Sequence, residues 1–596
     1  MADLIQYLSA KSARNPSWSS KDTVAYVSNQ SGVPQIWETN IHTGKTVRLS
    51  SGDERTVSMI ADAKAKAVLF TMDLGGDEQE QIFLYKKGSP AVNLTKDNHA
   101  RNYIGGISKN RLIYSSNARD PMSFDIMAMD MKTGKTEIII ENHDHYNMPA
   151  GVSPDGRYFA YHKLKGLSDD CLYVADIDAK TTELVPANAI TAAYGNPCFK
   201  SDGSGLYYTS DFDGEFASVY FYDLTTKANR LIYKDKHWDV DKLALSSDDK
   251  YLAMVINEDG YSKIKILNTA DGSFVNAPNP PQGFVFTYGG FGFSPKGHIL
   301  AFALSSGKRV MDVWILDLDS DKIEKITHSS LEGIDPDDLI EPILDHYTSF
   351  DGLKIPYWLF VPKGKKAKDL ALMIEIHGGP EGQEYPVFEP VMQYLLSRGI
   401  AIAAPNVRGS TGYGKTYSHL DDKEKRLDSV KDIEWLIKHL VSKGIAKQNS
   451  IAVSGTSYGG FMTLSCAARL PHLFCAAVDN VGMFNLATFL ENTSGYRRAH
   501  RESEYGVLAT QREMLESVSP AAKVDDITGP LMIIHGANDP RVPVSEAEAV
   551  VAYLRGKGVE VKYLRYEDEG HGLSKLKNRL DCYPQVCEFL LKYMDL

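Results

Sequence analysis

Nowhere in its 596 residues does the chain hold the roughly 18 uninterrupted apolar residues of a membrane-spanning helix. Cysteine is scarce. The six present (Cys171, Cys198, Cys466, Cys475, Cys582, Cys587) lie far apart or at spacings without a metal-ligand signature. So few thiols exclude a disulfide scaffold and lead us to expect reduced, mostly buried cysteines in the cytoplasm, with no metal and no cofactor. The opening MADLIQYLSAKSARNPSW lacks the basic and then apolar segments of a secretory signal. No block of like charge and no low-complexity tract marks a disordered tail. The net charge of −12 argues against nucleic acid as a partner.

What is there is the composition of a globular protein, 43% hydrophobic and 24% charged, long enough for two or three domains. Residues 1–15 read as an extension in which Leu4, Ile5 and Leu8 make one face of a short helix docking on the catalytic domain. From there to residue 330 one pattern recurs seven times. A small polar turn opens each copy and an aromatic or β-branched strand follows, as in VAYVS from Val24, YFAYH from Tyr158 and ILAFA from Ile299. The turns fall at Ser19, Asp62, Ser108, Ser153, Ser201, Ser246 and Ser294, 43 to 48 residues apart. Four short strands per ~45 residues is the signature of a propeller blade, which buries its faces only against neighbours. Residues 16–330 therefore read as a seven-bladed β-propeller.

A polar linker with Gly333 and Pro336 spans residues 331–340, and beyond it the pattern changes. Strands are expected at Leu370–Ile376, Ile400–Pro405, Ser450–Ser454, Ala476–Asn480, Leu531–His535 and Glu560–Tyr566, with helices between them, including Asp422–Lys443 and Ser545–Gly556. That alternation implies a mostly parallel sheet wrapped by helices, an α/β-hydrolase-type domain over residues 341–596.

The catalytic reading centres on Gly455-Thr456-Ser457-Tyr458-Gly459-Gly460, set between an apolar strand and a proline-free helical stretch. A strand, a sharp turn and a helix project a serine hydroxyl beyond the sheet beside free helix N–H groups. In such a domain the acid and the base follow the serine, each on a loop after a strand. Asp539 in Asn538-Asp539-Pro540-Arg541 and His571 in Glu569-Gly570-His571-Gly572 meet that requirement. The imidazole would take the Ser457 proton while the carboxylate fixes its tautomer. His377-Gly378-Gly379-Pro380 follows an earlier strand, where backbone N–H groups at Gly378 and Gly379 would face an oxyanion with the N–H of Tyr458. Asn406–Gly414 lacks the Lys-Ser/Thr of a phosphate loop and reads as support beside the site.

These motifs resemble the prolyl oligopeptidase family of serine peptidases, most closely its acylaminoacyl-peptidase branch, over nearly the whole chain. The resemblance implies that Ser457, Asp539 and His571 form a triad and that Tyr458, Gly378 and Gly379 form the oxyanion hole. It also implies that Arg541 holds substrate carbonyl or carboxylate groups. Two departures bear on specificity. His377 stands where the prolyl oligopeptidase and dipeptidyl peptidase branches carry a tyrosine. No Glu-Glu dipeptide, with which dipeptidyl peptidases grip a free amine, occurs before residue 340.

The expectation is a peptidase of short peptides that releases N-acylated residues. A carboxylesterase or a broader oligopeptidase is the alternative, and a catalytically silent propeller scaffold is the alternative of another class. Neither nucleic acid nor membrane is expected as a partner.

Overall fold

The computed structural model describes residues 2–143, 146–166 and 169–596. Its first part is seven antiparallel sheets, each built from consecutive strands, over residues 13–48, 56–93, 102–140, 146–185, 194–233, 240–275 and 284–325. Neighbouring first strands touch one another while outer strands such as Thr46–Arg48 are exposed, so the first strands line the axis. In the seventh blade the first position is split between Phe284–Val285 and Gly292–Phe293, both paired with Ile299–Ser306.

The recurring turns do not open the blades as expected; they join the first strand of each to the second. The turn at Ser108 links Asn102–Ser108 to Arg111–Asp120, with Ser108 opposite Arg111. Axial strands crowd together and carry small residues, so they lack the apolar alternation that betrays a half-buried strand. Gly105 is one such residue: a Cβ there would stand 2.6 Å from the Phe159 ring of the next blade.

Among the described residues no strand is shared between the first blade and the last. Ala13, Trp18, Val24 and Tyr26 instead pack on Ala301, Val313 and Ile315, and Trp18 Nε1 donates to Gly292 O at 3.0 Å.

The second part is one eight-stranded sheet. In chain order its strands are β1 (Ile343–Thr348), β2 (Lys354–Phe360), β3 (Leu370–Ile376), β4 (Ala401–Pro405), β5 (Ala446–Thr456), β6 (Ala476–Asn480), β7 (Leu531–Gly536) and β8 (Val561–Tyr566). They lie side by side as β1-β2-β4-β3-β5-β6-β7-β8, antiparallel as far as β4 and parallel from there on.

Strand alternation sends Leu372, Ile374 and Ile376 into one core and Ala371 and Met373 into the other. Helix α1 (Leu4–Ser9) docks on the second core against α2 (Pro390–Ser397) and α7 (Leu576–Tyr593). Leu4 and Leu8 are buried there, but Ile5 is 57% exposed and Tyr7 takes the third inward position, as a 3.6-residue period requires.

The first core is covered by α3 (Asp428–Ser442) and α4 (Tyr458–Arg469). Helix α3 begins six residues later than its sequence suggests, because Lys423–Lys425 forms a separate short turn. Two further helices matter below, α5 (Gly495–Tyr505) and α6 (Val544–Gly556). Among the described residues no helix is long and apolar enough to cross a membrane, and all six cysteines are free.

Candidate active site

Strand β5 runs into α4 through Ser457, whose backbone sits at φ 63°, ψ −114°, a conformation costly for a residue with a Cβ. The flanking glycines make this turn possible. A Cβ on Gly455 would stand 2.4 Å from Gly459 O, and one on Gly459 would stand 2.0 Å from Ile376 O. The elbow is thus pressed between its own helix and β3. Tyr458, the next residue, is fully buried and its hydroxyl donates to Asp421 Oδ2 at 2.8 Å. Asp421, Asp422 and Glu504 lie close enough together to hold an ion, but Asp421 and Glu504 both already pair with the Arg426 guanidinium.

Asp539 lies just past β7 with its carboxylate buried. Oδ1 accepts from the N–H groups of Arg541 (2.8 Å) and Val542 (3.1 Å), leaving Oδ2 for His571 Nδ1 at 2.6 Å. The loop after β8 that carries His571 is fixed by Glu569. That buried carboxylate accepts from Ser574 N, Lys575 N and Asn578 Nδ2 (3.0, 2.9 and 2.8 Å), just ahead of α7. Ser457 and His571 line one cavity of about 280 Å³, with Gly378, Gly379, Met483, Phe489 and Val542. Among the described residues no hydrogen bond joins Ser457 Oγ to the imidazole; such contacts tighten when substrate binds.

Gly378 reaches the nucleophile closely, since a Cβ there would be 3.5 Å from Ser457 Cβ. His377 anchors this loop from below. Its Nδ1 lies 2.9 Å from Gly378 O, which can only accept, so Nδ1 carries a proton, and Nε2 lies 2.8 Å from Ser410 Oγ, which also donates to Val407 O at 2.7 Å. Burial lowers the His377 pKa, in keeping with a neutral ring. Thr411 N–H donates to Gly382 O at 2.8 Å, so the stretch from Asn406 to Gly414 braces the glycine loop.

Arg541 lines the cavity, with its Nε donating to Glu78 of the second blade. Burial would raise the Glu78 carboxyl; Arg101, Arg541 and Arg497 overcome it and hold the pKa at about 2. Glu80, also buried, is pushed up to about 7 although it shares Arg101. Arg101 in turn donates to Tyr496 Oη at 2.7 Å, tying the blade to α5.

The same propeller loop lies on the loop of the base. Gly75 O accepts from Asn538 Nδ2 at 3.0 Å, and a Cβ on Gly76 would stand 2.4 Å from Gly570 N. The sequence reading missed this arm, because Glu78-Gln79-Glu80 carries no motif. It also missed Arg497 and Arg501 of α5, which line the cavity. Their i, i+4 spacing on a helix shortly before the acid was the available signal.

A serine on a strained strand-to-helix turn of this sheet, sharing a cavity with a His571–Asp539 pair, is the arrangement of serine hydrolases with the α/β-hydrolase fold. Comparison with known proteins narrows the class. The prolyl oligopeptidase family of serine peptidases matches residues 386–596, most of the sheet-bearing second part of the chain. Dipeptidyl aminopeptidase BIII of Pseudoxanthomonas mexicana is 26% identical over 545 residues, covering 86% of this chain and 76% of that protein. The acylamino-acid-releasing enzyme of Arabidopsis thaliana is 28% identical over 257 residues, 41% of this chain but only 34% of that relative. In fold the chain is similar to a puromycin-hydrolyzing peptidase of Mycobacterium tuberculosis, with a TM-score of 0.87, 19% identity and coverage of 100% of this chain and 96% of that one.

Proposed function

We propose that the protein hydrolyses short peptides through an acyl-enzyme on Ser457 and releases N-acylated residues. His571 takes the Ser457 proton as Oγ attacks the carbonyl carbon, then returns it to the leaving amine. Asp539 holds the imidazole by Nδ1 and offsets its positive charge. The N–H groups of Tyr458 and of the Gly378–Gly379 segment stabilise the oxyanion. Water then cleaves the acyl-enzyme by the same proton path. The observation that carries this reading is the 2.6 Å contact of Asp539 with His571, which shares one cavity with the strained serine.

The acyl preference rests on charge. Arg497, Arg501 and Arg541 line the cavity, and Glu78, the carboxylate that reaches Arg541, is shared with Arg101. A cationic pocket disfavours a free ammonium and tolerates a blocked, neutral amino end. The second reading, removal of dipeptides from a free amino end, is favoured by Glu78 and by the likeness to Dipeptidyl aminopeptidase BIII. The six free thiols suit a reducing, cytoplasmic setting.

A panel of acetylated, free-amine and internal-proline chromogenic peptides decides between the readings, with acetylated peptides expected to have the highest kcat/KM. Ser457→Ala is expected to abolish turnover with an unchanged melting temperature. A variant that still cuts peptides would sink the mechanism. Failure of a fluorophosphonate to label the wild type would favour a silent scaffold.

A further inference from the structure

Helix α5 brings two guanidinium groups to the cavity wall one helical turn apart, and Glu78, the ionised carboxylate that acts on Arg497, is in direct contact with Arg101 and Arg541 instead. Among the described residues the Arg497 side chain makes no hydrogen bond and no ion pair, although it lines the same cavity as Ser457. Arg501 Nη1 donates to Gly379 O at 3.1 Å and stands 4.0 Å from Glu381. Burial, and then the charge of Glu504, raises the Glu381 carboxyl well above its usual range, which weakens it as a counter-charge for Arg501. Arg541 differs, since its Nε is committed to Glu78.

A half-buried guanidinium with no carboxylate in close contact keeps unused donors, and a ligand that brings an anion into the pocket would satisfy them. The same cavity also has an apolar lining: Met483, Phe489 and Val542 can cover a short aliphatic stem. The pocket therefore suits a group that is apolar along its length and anionic at its tip.

We propose that Arg497 and Arg501 form a carboxylate-binding subsite of the Ser457 pocket, so that the favoured substrates are short peptides bearing a carboxylate within one residue of the cleaved bond. This rests on the peptidase reading above and names its substrate class. Two sources supply such a group: an acidic side chain on the residue whose carbonyl is attacked, or the free α-carboxylate of the residue that leaves.

The test compares acetyl-Glu-p-nitroanilide with acetyl-Gln-p-nitroanilide, and acetyl-Ala-Ala as the free acid with its C-terminal amide. Active sites are counted by fluorophosphonate labelling. In the wild type one of the two carboxylate substrates is expected to exceed its neutral partner by about tenfold or more in kcat/KM, the worth of a charged hydrogen bond. Which pair shows the gap identifies the source. Arg497→Gln is expected to collapse that ratio to within about threefold, and Arg497→Lys to retain most of it. The ratio is taken per labelled site, so partial unfolding does not imitate the result. Equal rates within both wild-type pairs would overturn the subsite and leave the peptidase reading intact. A ratio that survives in the Arg497→Gln, Arg501→Gln double variant would do the same. Absence of labelling together with absence of cleavage would count against the peptidase reading itself.

Discussion

At the scale of single residues, Arg541 and Glu78 are one device seen from two domains. Glu78 occupies Nε of Arg541, so the outer nitrogens of the guanidinium are available to a peptide carbonyl. Arg541→Ala is expected to cut kcat/KM for acyl-peptides by ~10- to 150-fold, a charged hydrogen bond's worth, and to spare p-nitrophenyl acetate. Equal losses on both would mean that the arginine only braces the Asp539 loop.

Glu78 itself leads to a pH dependence. Its pKa is lowered from 4.5 to about 2 on folding, so its contribution to stability is full above pH 4.5 and is lost as pH falls through 2. With the side chain only 4% exposed, that contribution is on the order of 3 kcal/mol. Urea titrations of wild type and Glu78→Gln should show a gap that is constant from pH 5 to 7 and narrows toward pH 3. A gap independent of pH would show that the ionised carboxylate is not the source. Glu78 was not legible in the sequence, since a single charge on a loop acquires its role only from what the other domain places opposite it, and Arg497 left only its helical spacing from Arg501 as a signal. Ser457, Asp539 and His571 were legible because turn chemistry and strand ends are local.

At the scale of elements, the chain advertises most strongly those strands whose faces differ. The second strand of each blade stood out as an apolar run, whereas the axial strand hid among glycines and polar residues. The short turn before α3 reads in the sequence as part of that helix, and the helices between β6 and β7 were expected without bounds, for lack of a clear cap or period.

The loop at Gly75 and Gly76 makes the dependence of one domain on the other testable. Gly76 has φ 77° and its missing Cβ is what admits Gly570, next to His571. Gly44 has a similar φ of 67° on the outside of the first blade, with nothing within 4 Å of a Cβ. Gly76→Ala and Gly44→Ala therefore carry comparable backbone strain, about 1 kcal/mol. The former is expected to lower kcat/KM by tenfold or more through a displaced His571, the latter to leave it unchanged. Equal activities would show that the propeller loop does not position the base.

At the scale of the whole molecule, the two domains meet around the site through several separated polar contacts. Thr416 Oγ1 donates to Glu215 (2.7 Å), Asn257 Nδ2 to Gln383 (2.7 Å) and Lys575 Nζ to Glu54 (3.3 Å). A nucleophile enclosed between them should select by size. Acetylated peptides of two to four residues are expected to be cut while a native, disulfide-bonded protein is spared under the same conditions. Rapid digestion of that native protein would refute the gating.

The seam between the first and seventh blades adds a further consequence. It is joined by side chains, yet at the hydrolase end the incoming and outgoing chain run together: Lys11 N donates to Ser330 O at 2.8 Å and Gln6 Nε2 to Glu332 O at 2.9 Å. The ring is thus an open bracelet whose clasp lies against the catalytic domain. Were it to part, it would spread from the far rim and stay fastened at the clasp, widening one mouth of the channel without breaking a sheet.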